Sequence, residues 1–471
     1  MSSRIRVLSG LTALTVVASS VAAQPGAPQV QGALPPVRGL GKAVAASSEL
    51  LGAVSQVRAL PDGRVLVNDN LGRKVVLFDK GLSSFSIVAD TTSATANAYS
   101  SRAGGLIAYR GDSTLFVDPQ SLSMLVIDGK GQVTRVMSVP RPNEANALIG
   151  GPNGTPGFDA DGRLVYRGPP APRIMQQARG GNSGATGPML PVFPESVAVV
   201  RINLESRQLD TVALVKVQRP NMQVTQRPDG GISVNAITNP MQYVDDWALT
   251  ADGRVAVVRG QEYRVEWIEG AGKVRGSSKI PFAWRHLDDS TKAAFLDSTR
   301  TAMEKLREQA MARMQQGGGA VPMVVGPGGG AGDRVAMMGA EVAVRTMVVG
   351  GRGGDTPVPA GGAPARGGAG QQITMPPIQL VTPAELPDYA PPFSLGAVRG
   401  DADGNLWIRT SHVINGGSVY DIVNAMGQLT DRVLLPPGRV IAGFGPGVVY
   451  MGFRDGAGVR LEAAAVRSAT P

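Results

Sequence analysis

The chain has no cysteine, which excludes disulfides, and stability must come from an apolar core or from bound ions. It has only two histidines, His286 and His412. Neither sits in a His-Glu-x-x-His zinc spacing, and the Gly-x-Ser-x-Gly elbow and the phosphate-cradling Gly-x-x-x-x-Gly-Lys-Ser/Thr loop are also missing. Aromatic residues make up 5% of the chain, and nine of the 46 basic residues are lysines. The arginines are scattered through strand-like segments, so the basic stripe with interleaved aromatics expected of a nucleic-acid binder is absent. No run of 18 apolar residues follows the N-terminal region, so no transmembrane segment is expected in the mature chain.

The first residues form an export signal. Arg4 and Arg6 supply the positive end, Val7 to Val17 is apolar or small, and Val21-Ala22-Ala23 before Gln24 fits a small-residue cleavage site. Ser9, Gly10, Thr12 and Thr15 interrupt the stretch too often for a spanning helix. A secreted or periplasmic protein is expected, with residues 1–23 removed and 24–41 a flexible linker. The missing cysteine excludes a lipoprotein. Losing Arg4 and Arg6 takes the net charge from +9 to +7, which favours anionic partners.

One pattern recurs: a short strand, an Asp-Gly-type turn, then a β-branched or apolar strand. It occurs at Asp62-Gly63, Gly111-Asp112, Asp161-Gly162, Asp252-Gly253, Asp403-Gly404 and, more weakly, Pro446-Gly447. Asp and Gly tolerate the positive φ of tight hairpins, so each copy is a hairpin. Third strands follow at Lys74 to Phe78, Met124 to Ile127, Val197 to Ile202, Tyr263 to Ile268 and Ser418 to Val423, and several copies show a fourth. The spacing is 50 residues from Asp62 to Asp112 and 49 from Asp112 to Asp161, close to propeller repeats. Insertions widen the next gaps to 91 and 151. Pro228-Asp229-Gly230-Gly231 offers a seventh copy only 23 residues before Asp252. The expected fold is all-β, a six-bladed propeller with seven blades as the alternative.

The first blade, Asp62-Gly63-Arg64-Val65-Leu66-Val67-Asn68-Asp69 followed by Arg73-Lys74-Val75-Val76-Leu77-Phe78-Asp79, resembles an NHL repeat. The other copies keep the turn and the strand and lose the Asp or the Phe-Asp end. The resemblance implies a six-bladed propeller of the NHL or TolB-like kind, and fold alone does not give function.

Blades one to four are assigned to 42–282 and blades five and six to 392–466, with 467–471 a tail. The last copy lacks room for a fourth strand, and Lys42 to Ser47 is free to supply it and close the ring. Residues 283–391 form an insertion. Asp288 to Gln316 reads as an amphipathic helix with Leu296, Met303, Leu306, Ala310 and Met314 on one face. The Gly-rich stretch from Gly317 to Gln372 reads as disordered, with a transient strand at Val342 to Val349, and Gly168 to Pro191 as a smaller version of it.

In a propeller the Asp-Gly turns share one face, and the connections after strands two and four share the other. That second face receives every long loop, and it is the expected working face, with the helix over the channel mouth. Its rim collects the residues ending each second strand, Asp69, Asp118, Arg167, Arg259 and Arg409. These form a candidate site for an anionic or polar ligand, guanidinium being a planar fork for carboxylate or phosphate. Inter-blade salt bridges are the competing role for the same residues. Asp401-x-Asp403-x-Asn405 and Asp159-x-Asp161 are hairpin chemistry, because the bidentate Glu of a calcium loop is missing. Trp247, Trp267 and Trp407 are expected between blades, and Trp284 against the helix.

The function expected is binding or scaffolding, as a monomer without a cofactor, toward a protein, peptide or small anionic ligand. The alternative is a metal-dependent hydrolase of the lactonase type, in which calcium would sit on Asn68, Asp69, Asp118 and Asp246.

Overall fold

A computed structural model describes residues 34–466 apart from 93–96, 101–103, 171–172, 177–188, 220, 227–231, 270–271, 316–377 and 457. The export signal, most of the Gly-rich stretch with Val342 to Val349, and the tail lie outside the described residues. The chain forms a six-bladed propeller.

Blade one consists of Val54–Ala59, Val65–Asp69, Lys74–Phe78 and Phe85–Asp90, and blade two of Gly105–Ala108, Thr114–Asp118, Ser123–Ile127 and Val133–Ser138. Blade three is Gly157–Phe158, Leu164–Arg167, Ser196–Ile202 and Leu209–Lys216, and blade four Asp246–Leu249, Val255–Arg259, Arg264–Ile268 and Val274–Lys279. Blade five is Phe393–Gly400, Leu406–Ile414, Gly417–Val423 and Leu429–Leu435. Blade six has Arg439–Gly445, Val448–Asp455 and Gly458–Ala465, and its fourth strand is Ala43–Ala46, antiparallel to Gly458–Ala465. The turn glycines Gly63, Gly111, Gly162, Gly253, Gly404 and Gly447 all take positive φ, from 62° to 89°, which is why the hairpin signal recurs there.

The core is a ring of layers. Successive strand residues point to opposite faces, so Val65 and Val67 pack toward blade six while Leu66 packs toward blade two. Each adjacent pair of blades traps one apolar cluster, six in all. Trp247, Trp267 and Trp407 are fully buried in three of these layers. Trp284 packs on the layer between blades four and five, edge-to-face with Phe282, and not on the helix.

Several expectations need correction. Residues 24–41 are not wholly a linker: Val37–Gly39 pairs parallel with Leu429–Leu435, and the Arg38 guanidinium binds Asp431, because the outer edge of blade five offers unpaired backbone groups. Within Gly168 to Pro191, Arg173–Gln176 and Met189–Val192 pair as an antiparallel hairpin. The Pro228-Asp229-Gly230-Gly231 stretch lies outside the described residues; the flanking strands Asn221–Gln226 and Ile232–Thr238 pair antiparallel with each other outside the six blades and form no seventh blade. The helix spans Asp289–Gln315, capped by Asp288, whose Oδ1 accepts the Thr291 N–H at 2.7 Å. Leu296 and Met303 are buried, and Leu296 joins Met241, Leu287, Val381, Leu386 and Ala390. That apolar patch beside blade four holds the helix, and a different segment fills the channel mouth.

Candidate functional site

The residues ending the second strands share a job in four blades. In blade one, Asp69 accepts the N–H groups of Gly52 (2.9 Å), Ala53 (2.8 Å) and Gly72 (2.8 Å), tying the segment that enters the blade to the turn that leaves strand two. Asp118 repeats this in blade two, accepting from the N–H and hydroxyl of Ser100, the Gln120 N–H and the Ser121 hydroxyl. Burial raises the Asp118 pKa, and these bonds outweigh burial and hold it below the usual range. In blade three the charge is reversed and Arg167 donates to Asn153 Oδ1. In blade four Arg259 donates to Asp245 (2.7 Å) and Glu266 (2.8 Å). Each of the four fastens its own blade's entry segment.

Arg409 departs from this pattern. Among the described residues no carboxylate pairs with it, and its neighbour is a second cation, Arg399 of the innermost strand. Arg399 lies directly across from Trp407, and Arg409 is two residues beyond Trp407 on the same face, opposite Tyr420. Burial lowers the Arg399 pKa, and the repulsion of Arg409 adds to that. Arg399 remains partly solvent-accessible although protein surrounds it. Sequence reasoning singled out Arg409 and missed Arg399, which falls in no motif.

The channel mouth is filled by the connection between blades two and three. Ile149 and Leu148 press on Gly105 of blade two so closely that a Cβ there would meet Ile149 Cα at 2.6 Å. Gly150 faces Gln56 of blade one, Pro152 faces Gly396 of blade five, and the Asn153 carbonyl accepts the Trp247 indole N–H of blade four at 2.9 Å. With Arg167 on Asn153, the segment 148–154 touches five of the six blades. Gly154 has φ 87°, and a Cβ there would stand 2.5 Å from Trp247 Nε1. The Gly-Gly-Pro-Asn-Gly run is the sequence signal for this close approach, and it reads as an ordinary loop until the ring is assembled.

Asp246 begins the innermost strand of blade four and is fully buried. Its Oδ2 accepts the Val398 N–H at 2.9 Å, and its Oδ1 has no hydrogen-bond partner among the described residues. Burial pushes its pKa up to about 6, against the pull of the Val398 N–H and Arg167. Asp421, between blades four and five, is also pushed up to about 6 by burial, although Tyr263 (2.7 Å) and Arg432 (3.2 Å) donate to it. His412 stacks on Phe282 at 4.6 Å and meets the Ala283 carbonyl and Arg432, which makes it part of the wall. His286 packs edge-on against Tyr389. Asp401 accepts the N–H groups of Asp403 and Asn405 and the Trp407 indole N–H, the work of a turn residue.

Of the candidate calcium donors, Asn68 and Asp246 each keep a buried Oδ1 with no hydrogen-bond partner among the described residues, whereas Asp69 and Asp118 are committed elsewhere. The oxygens of Asp69 and Asp118 are turned onto their own loops. Asn68 donates to Gly104 on the blade-one side, while Asp246 lies in blade four. Among the described residues no group of three His, Asp or Glu side chains is placed to hold a metal ion.

No family model matches the chain, and no curated protein does. Solved structures do. A gluconolactonase from Xanthomonas campestris aligns at 10% identity and TM-score 0.35, over 91% of this chain and 99% of that one. A virginiamycin B lyase from Staphylococcus aureus, solved with quinupristin, gives 8% and 0.33 over 89% and 99%. A calcium-binding regucalcin from Agrobacterium tumefaciens gives 9% and 0.31 over 92% and 98%.

A groove of about 360 Å³ lies between the end of blade three and the segment before blade five, lined among others by Lys216, Arg219, Glu195, Gln242, Tyr243 and Glu385. Arg219 is paired with Glu195 at 2.9 Å, and Gln242 bonds the Arg219 backbone through both amide atoms.

Proposed function

We propose that this chain is an exported, monomeric binding propeller whose loop-rich face meets a protein, peptide or small anionic ligand. One observation carries the reading: segment 148–154 occupies the mouth of the central channel, where a propeller enzyme would admit substrate. The long connections all rise on that same face, and a rigid ring presenting long loops is a common binding architecture. The export signal supports a secreted or periplasmic setting.

A second reading, a hydrolase or lyase, has its own observation in Asp246, a buried carboxyl near pKa 6, the range suited to a general base. The gluconolactonase and lyase neighbours name the reactions worth testing. The experiment is hydrolysis of gluconolactone by the mature protein with and without calcium. The binding reading predicts the spontaneous rate in both cases. A metal-dependent acceleration abolished by Asp246→Asn would establish the second reading instead.

A further inference from the structure

We propose that Arg399, Arg409 and Tyr420 form a receptor for a small oxyanion, a carboxylate or phosphate group, at the inner edge of blade five. The inference deepens the binding reading and rests on it.

Three observations carry it. The first is the broken pattern on the rim. Asp69, Asp118, Arg167 and Arg259 each fasten an entry segment. Arg409 occupies the equivalent position and fastens nothing among the described residues, so the structural role that accounts for the other four does not account for it.

The second is like charge with no ion pair on either arginine among the described residues and only a single buried carboxylate, Asp246, acting on Arg399. The two arginines lie on one face of neighbouring strands, within range to repel each other. Other half-buried arginines of the ring meet carboxylates, as with Arg432 on Asp421 and Arg439 on both oxygens of Glu462, although Arg167 meets the Asn153 amide and Arg58 a backbone carbonyl. Asp246 attracts Arg399 from a distance and spends one oxygen on Val398. Two guanidiniums held together in a partly dry site are destabilising unless an anion joins them.

The third is donor geometry. Tyr420 stands directly across from Arg409 and is 5% exposed. Two guanidinium forks, which only donate, and one hydroxyl, which can donate, lie on the same face and suit an acceptor-rich ligand. A neutral sugar or an amine would leave the guanidinium charge unanswered.

The test uses the full mature chain at fixed ionic strength. Thermal unfolding is followed in increasing inorganic phosphate, in citrate, and in chloride as control, for the wild type, Arg409→Met, Arg399→Met and Tyr420→Phe. A saturable rise in Tm with phosphate or citrate is expected for the wild type, at least tenfold weaker in apparent affinity for either methionine variant and reduced for Tyr420→Phe. Comparing phosphate with citrate shows which oxyanion the site prefers. Arg409→Lys serves if a methionine variant does not fold, and it too should weaken binding, because an ammonium lacks the fork. A rise of equal size and affinity in the variants overturns the site and leaves the binding reading standing. No rise with either anion in the wild type overturns the site and removes the small anion from the binding reading.

Discussion

At the inner end of blade four, Asp246 keeps a proton to higher pH than a free carboxyl does, because its surroundings are dry and one oxygen lacks a donor. Between an ordinary value near 3.8 and the folded value of about 6, the folded protein therefore holds a proton that the unfolded chain releases. That contribution to stability is complete below the lower value and lost as pH rises through the upper one. Asp421 acts in the same sense and window. Raising the pH from 4 to 7 should thus lower Tm through these two groups. Asp246→Asn should flatten the fall and gain about 1–2 kcal/mol at pH 7, read from urea unfolding at both pH values. A steeper fall in the variant would contradict this account. Asp69 makes the opposite case. Replacing it by alanine strands three backbone N–H groups and should cost about 3 kcal/mol without touching anion binding, while Asp69→Asn should cost less. Much at this scale was legible: Asp69, Asp118, Arg167, Arg259 and Arg409 stood out as equivalent positions. That four fasten loops and one faces Arg399 was not, because a partner 10 residues away on another strand leaves no trace in local spacing.

The strand Ala43–Ala46 is the element on which closure depends, since it covers the outer edge of Gly458–Ala465. A mature chain beginning at residue 48 should expose that edge, lower Tm, and form oligomers visible by size-exclusion chromatography. A monomer of unchanged Tm would show that the strand is dispensable. The plug is a second element with a specific test. Gly154→Ala places a Cβ against Trp247 in a backbone conformation unfavourable to alanine. It should destabilise the fold by about 1–3 kcal/mol and alter the Trp247 environment, detectable by tryptophan fluorescence. The hairpins were readable from Asp-Gly and alternation, whereas several second-to-third-strand turns place bulky residues at positive φ. Arg73, Leu122 and Tyr263, at 53°, 56° and 48°, carry no residue-type signal for that conformation.

For the molecule as a whole, six inter-blade layers stand in for the disulfides that a cysteine-free chain lacks. The repeat spacing exposed this architecture because every blade buries its middle strands on both faces, producing the same apolar run each time. Trp407, enclosed between blades five and six, illustrates the dependence: Trp407→Ala should cost about 3–5 kcal/mol. The packing of segment 148–154 was less legible, since its contacts with five blades exist only once the ring is assembled. The most direct measurement is a calorimetric titration of the mature protein with citrate at pH 7, followed by proton NMR of the recovered ligand. Saturable heat that Arg399→Met abolishes, with citrate returned unchanged, is the predicted result. Absence of heat, or citrate consumed during the titration, would contradict a plugged ring that binds a small anion.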